Sequence, residues 1–116
     1  MANKTVLDVC TRAARNLGYI AFDEALGDGE YEQAQEVYDS LHEWMRDEIN
    51  IRWNKDSVEP QYFPLVAAML ADWLTGDLKV SVERSQIIEM NAGKAEKRLR
   101  QKIARKSKKT VQVSTV

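Results

Sequence analysis

The single histidine, His42, and the single cysteine, Cys10, are the side chains best suited to acid–base or nucleophilic chemistry near neutral pH. His42 stands among Asp39, Glu43, Arg46 and Asp47 in a segment with helical periodicity. A triad needs a nucleophile within reach of the base and a third group to orient it. Ser40 is the nearest hydroxyl, but residues two apart on a helix point to different sides. A solvated surface histidine is therefore expected. Cys10 falls on an apolar helical face and reads as a buried structural thiol, and a lone cysteine excludes an internal disulfide. Glu32, Glu36, Asp39 and Glu43 recur at helical spacing, yet no EF-hand pattern or Glu-x-x-His pair accompanies them. Gly27-Asp28-Gly29 is a turn, not a phosphate-cradling loop. The expectation is a chain without catalytic residues, metal or cofactor; a helical enzyme with its site on the acidic face is the least favoured class.

Charge is the stronger signal. Residues 23–59 hold twelve Asp or Glu against three Lys or Arg, a local charge of −9, and residues 94–109 hold nine Lys or Arg against Glu96, a local charge of +8. Two arrangements stay open: faces of opposite sign packed side by side within one bundle, or contact between an acidic face (Glu32, Glu36, Asp39, Glu43) and the basic face of a neighbouring copy. The basic segment (Lys94, Lys97, Arg98, Arg100, Lys102, Arg105) is also the best nucleic-acid candidate, through phosphates. No aromatic residue is interleaved with it and no helix-turn-helix spacing occurs, so sequence readout is not expected. Trp44 and Trp73 sit on apolar faces and read as core, whereas Arg52-Trp53 lies in a loop and either closes the bundle or anchors an interface.

Four helices must position these groups. Thr5 caps the first, with Asp8 at box spacing; Val6, Val9, Cys10, Ala13, Ala14 and Leu17 form its apolar face, and Gly18 stops it. Tyr19, Ile20 and Phe22 are expected to fold back on the core. A long helix to about Asn50 carries the stripe Ala34, Val37, Tyr38, Leu41, Trp44, Met45 and Ile49. The segment FPLVAAMLADWL, from Phe63 to Leu74, is apolar all round and reads as a central helix buried on every side, too short to span a membrane. The fourth helix, from Ser81 to about Lys106, presents Ile87, Ile88, Asn91, Ala92, Ala95, Leu99 and Ile103 inward. The predicted fold is an all-α four-helix bundle, a helical domain over 1–105, with an extended C-terminal arm over 106–116 whose alternating valines invite pairing. MANKTVLDVC shows no apolar leader stretch and no membrane contact is expected.

The stretch DVCTRAARNLGYIAFDEALGDGEYEQAQEVYDSLHEWMRDEINIRW resembles the opening of tailed-phage head-to-tail adaptor proteins, also called connector, head-completion or packaged-DNA stabilisation proteins. The matching pieces are a first helix ending in Leu17-Gly18, a long helix ending with Leu41, Trp44 and Met45, the small apolar helix LVAAMLADWL, and the final AGKAEKRLRQK. Together they cover roughly residues 5–105, and no single motif among them is specific. The tail is shorter here than in some members. The resemblance implies a non-enzymatic ring, usually of twelve copies, at the head–tail junction of a virion assembled in the host cytoplasm. Such a ring docks beneath the portal protein ring, extends the DNA channel, helps retain packaged DNA without sequence specificity, and gives a tail or stopper protein its platform. It further implies that Lys106, Lys108, Lys109 and Thr110, Val111, Gln112, Val113, Ser114, Thr115, Val116 meet the portal, the last seven either as an added edge strand or lying in a groove there. A small nucleic-acid-binding helical protein is the alternative.

Overall fold

In the computed structural model, which describes residues 2–18, 20, 24–76 and 80–114, with side chains described as far as position 106, four helices follow one another: α1 (Val6–Asn16), α2 (Asp28–Glu48), α3 (Phe63–Leu74) and α4 (Val82–Ser114). The all-α bundle expected from the sequence is what forms.

Local chemistry sets the ends of α1. The Asp8 N–H donates to Thr5 Oγ1 at 3.2 Å and the Thr5 N–H donates to Asp8 Oδ2 at 2.9 Å, closing a capping box. The residues before it are held by the loop that follows α2. Lys4 and Val58 exchange backbone bonds of 2.7 and 2.9 Å, and the Val6 N–H donates to Asp56 Oδ1. Gly18 takes φ +73, the left-handed conformation that ends a helix cheaply only without a Cβ. Tyr19 and Phe22 lie outside the described residues; Ile20 is half-buried.

On α2, Ala34, Tyr38, Leu41, Met45 and Ile49 are buried, and Val37 and Trp44 flank them half-buried. The chain leaves α2 through Asn50 at φ 65 and returns along a packed loop. Ile51 and Val58 are buried there, the Tyr38 hydroxyl donates to the Lys55 carbonyl at 3.0 Å, and the Trp53 ring stacks on Tyr62 at 4.7 Å.

α3 packs against all three other helices, as its composition predicts. Val66, Ala67, Met69, Leu70, Ala71 and Leu74 are buried. The expectation of burial on every side is corrected at Trp73, which is 37% exposed, because three neighbours leave one strip of a central helix open. Trp73 leans on the half-buried Trp44, with ring centroids 6.0 Å apart.

α4 lies on α3 through Ile88, Ala92, Ala95 and Leu99. Ser81 Oγ accepts from the Arg84 N–H at its start. Ile87 and Asn91, assigned inward from the sequence, are exposed: the buried stripe is narrower than the apolar one. Among the described side chains Ile103 is the last packed on the core. A helix of 33 residues is roughly 50 Å long, which accounts for the 52 Å long axis of the molecule. The C-terminal arm also differs from expectation, since the backbone stays helical through Ser114 and is not extended. Each residue added to a formed helix gains a hydrogen bond, and the described residues offer this segment no strand to pair with. Thr115 and Val116 lie outside the described residues.

Candidate interaction surfaces

Neither reactive side chain sits in a catalytic arrangement. His42 Nε2 lies 3.0 Å from the Trp53 carbonyl oxygen; a carbonyl only accepts, so this nitrogen carries the proton and donates. The Ser40 hydroxyl instead donates back to the Glu36 carbonyl. Cys10 is fully buried, and burial, followed by the charge of Asp39, pushes its thiol up to about 12. It is a packing group. Among the described residues no cluster of three His, Cys, Asp or Glu could hold a metal ion, and no helix is long and apolar enough to cross a membrane.

The basic residues of α4 divide into two sets. Lys94, Arg98 and Arg105 are exposed and Lys102 is half-buried; at 100° per residue they share one flank of the helix. Lys97 is exposed and points away from the core. Arg100 faces the other flank, pairs with Glu96 at 3.2 Å, donates to the Glu48 carbonyl at 3.0 Å and lies over the Trp44 ring. Although still exposed, it is engaged within the chain as a clamp on the end of α2. Lys106 is exposed, and the side chains from Lys108 to Val116 assigned to portal contact lie outside the described residues.

The acidic residues assigned to a subunit interface divide similarly. Glu32, Glu36 and Glu43 are exposed on the face of α2 opposite its buried stripe. Asp39, on the same face, is held by Lys55 at 2.7 Å, and the hydrogen bond, then the charge, of Asp39 raises the Lys55 pKa. The ion pairs joining described residues are thus Lys55–Asp39 and Arg100–Glu96, and neither joins the α2 stripe to the α4 flank. α2 and α4 do not pack along their lengths, because α3 lies between them. Among the described residues, the acidic face of α2 and the basic flank of α4 are therefore not packed side by side within one chain.

Arg52 is exposed, whereas Trp53 is half-buried on Tyr62, with its indole Nε1 buried and without an acceptor among the described residues. Of the two readings for Trp53, closure of the bundle is the one its stacking fits. An open, mainly polar depression of about 1030 Å³ runs beside it, lined by Asp39, His42, Glu43, Asp47 and Arg52 among others.

Sequence reasoning missed Arg84. Its guanidinium donates to the Asn16 carbonyl at the end of α1 and fills the space a Gly18 Cβ would need, 3.0 Å away. Arg84 and Arg100 thus each place a cation on the C-terminal carbonyls of a different helix, which the helix dipole favours. The sixteen positions between them put the two roughly 160° apart around α4, so the helix is held from both flanks. A basic residue is sought in a helix's own last turn, and nothing in a sequence shows it arriving from elsewhere. Also missed is a groove of about 690 Å³ between the end of α1, α3 and the start of α4, floored by Ala68 and Ala71 and walled by Ile87 and Arg84.

Compared with known protein families, curated proteins and solved structures, the chain matches none.

Proposed function

We propose that this chain is a structural head-to-tail adaptor of a tailed-phage particle, assembling as a ring under the portal that extends the DNA channel and presents a platform for the tail. The observation that carries the proposal is the order of the four helices, ending in a long basic helix that runs on well past Ile103, the last core contact among the described side chains. Eleven residues, 104–114, continue as helix for roughly 16 Å beyond that point. A helical projection of this length suits a partner's groove. It would enter the portal as a helix, not as an added strand.

The test is co-sedimentation with the cognate portal ring, using the full chain and a version ending at Lys109. The full chain is expected to travel with the portal and the shortened one to stay behind. If neither travels with the portal, the adaptor proposal falls.

A second reading is favoured by the uninterrupted cationic flank of α4. Lys94, Arg98, Lys102 and Arg105 could neutralise four phosphates of any nucleic acid, giving a slope of log affinity against log salt of about −3.6. The exposed acids of α2 oppose it by repelling the polyanion. Retardation of duplex DNA with that slope, without portal binding, would replace the first reading with this one.

A further inference from the structure

We infer that the basic flank of α4 docks on the solvent face of α2 in a second copy of this chain, in a parallel and head-to-tail contact.

Both faces lack partners in the single chain. The exposed acids on the outer face of α2 are Glu32, Glu36 and Glu43; the exposed cations on the α4 flank are Lys94, Arg98 and Arg105. The two sets repeat at the same spacing, i, i+4 and i+11. Each therefore spans roughly 16 Å, and with the helices parallel each acid meets a cation, Glu32 with Lys94, Glu36 with Arg98 and Glu43 with Arg105. Antiparallel helices reverse the order of the intervals and lose this match. Within its own helix neither face carries an opposing charge over this span, and on the α2 face Lys55, reaching from the following loop, holds Asp39 and leaves Glu32, Glu36 and Glu43 exposed. Between Glu32 and Glu43 α2 has no lysine or arginine, and between Lys94 and Arg105 the only carboxylate is Glu96, which faces away and is held by Arg100.

Exposed ion pairs contribute little one at a time, so the contact needs more than charge. Ile87 lies on the same flank of α4, seven positions before Lys94 and 56% exposed. In the parallel arrangement it lies towards the segment that leads into α2, where Ala25 is exposed and Leu26 half-buried. An apolar contact at one end and three charge pairs along the rest give the surface a direction. The two patches are different and are separated by α3, so each copy keeps one of each free. Such a contact repeats from copy to copy, and closes a ring when its rotation divides the circle.

The contact deepens the ring proposed above and rests on it for its role, but its test uses no portal, so the two fail separately. Sedimentation velocity of the full chain reads association directly. Between about 50 mM and 500 mM salt the wild-type association should weaken at least tenfold, because exposed charges are screened. Two variants separate the faces, R98E/R105E and E36K/E43K, all four positions being solvent-exposed and both chains being checked for native helicity. Each alone should be monomeric, since like charges then face each other. An equimolar mixture should associate, since each contact is again between opposite charges. A wild-type chain that stays monomeric at low salt overturns the inference, as does either variant associating like the wild type or a mixture that does not associate. Retardation of duplex DNA by a chain that remains monomeric would assign the flank to phosphates instead, and would also overturn it.

Discussion

Ile87 and Ile88 are adjacent isoleucines in one helix, and they should respond very differently to truncation. Ile88 is 5% exposed against α3, whereas Ile87 is 56% exposed. Replacing either by alanine removes the same atoms and makes the same change in helix propensity, a gain of at most ~0.7 kcal/mol. The difference between the two variants therefore isolates packing. Ile88→Ala removes fully desolvated atoms and leaves a cavity against α3, an effect of ~3 kcal/mol. Ile87→Ala removes atoms that are mostly hydrated already, and the propensity gain offsets much of the rest, leaving under ~1 kcal/mol. For a chain of 116 residues the entropy of unfolding at the midpoint is about 0.24 kcal/mol/K, so Tm should fall by about 12 °C for Ile88→Ala and by under about 4 °C for Ile87→Ala. Urea unfolding followed by circular dichroism, at micromolar protein and high salt to suppress association, measures both. An unchanged m-value would show that the denatured states are alike. Equal losses, or a larger loss at Ile87, would mean that α4 is turned about its axis relative to this structure, and the cationic flank would turn with it.

Cys10 should be inert to a thiol reagent in the native protein at pH 8 and react at once in denaturant, because its buried thiol stays protonated. The same shift makes the native state hold a proton that the unfolded state gives up first. Stability should therefore fall as pH rises from the ordinary cysteine value of 9.0 towards about 12, and a slope that rises with pH there would refute the assignment. Gly93 is exposed within α4 and a Cβ there would meet no atom within 4 Å, so Gly93→Ala should raise stability by ~0.8 kcal/mol, read as a higher Tm. Arg100→Ala should lower stability by ~0.5 kcal/mol through loss of the bond to the Glu48 carbonyl and of packing on Trp44, while leaving salt-dependent self-association unchanged. Loss of self-association in that variant would move Arg100 to the open flank.

Much of the fold is legible along the chain because it depends on near neighbours. Thr5 and Asp8 cap α1 wherever the helix packs, Gly18 accepts a positive φ that other residues resist, and Tyr38, Leu41 and Met45 must share a face at helical spacing. The acidic and basic sets of side chains are equally plain, since charge is a property of composition. The C-terminal segment shows where local reading fails: alternating valines suggest a strand, but a strand needs a partner and a helix propagates without one.

Tertiary structure decided what the sequence left open. Periodicity locates the middle of a buried stripe but not its width, so Ile87 and Ile88 look alike until α3 covers only one of them. The positive charge of α4 is visible in composition, yet only the packing separates Arg100, committed to Glu96 and the end of α2, from Arg98 and Arg105, which are not. Arg84 reaches the end of α1 across 68 positions of chain, a contact that no local rule contains. Charge and hydrophobic period are written residue by residue; which charges remain free depends on the place each helix takes beside the others.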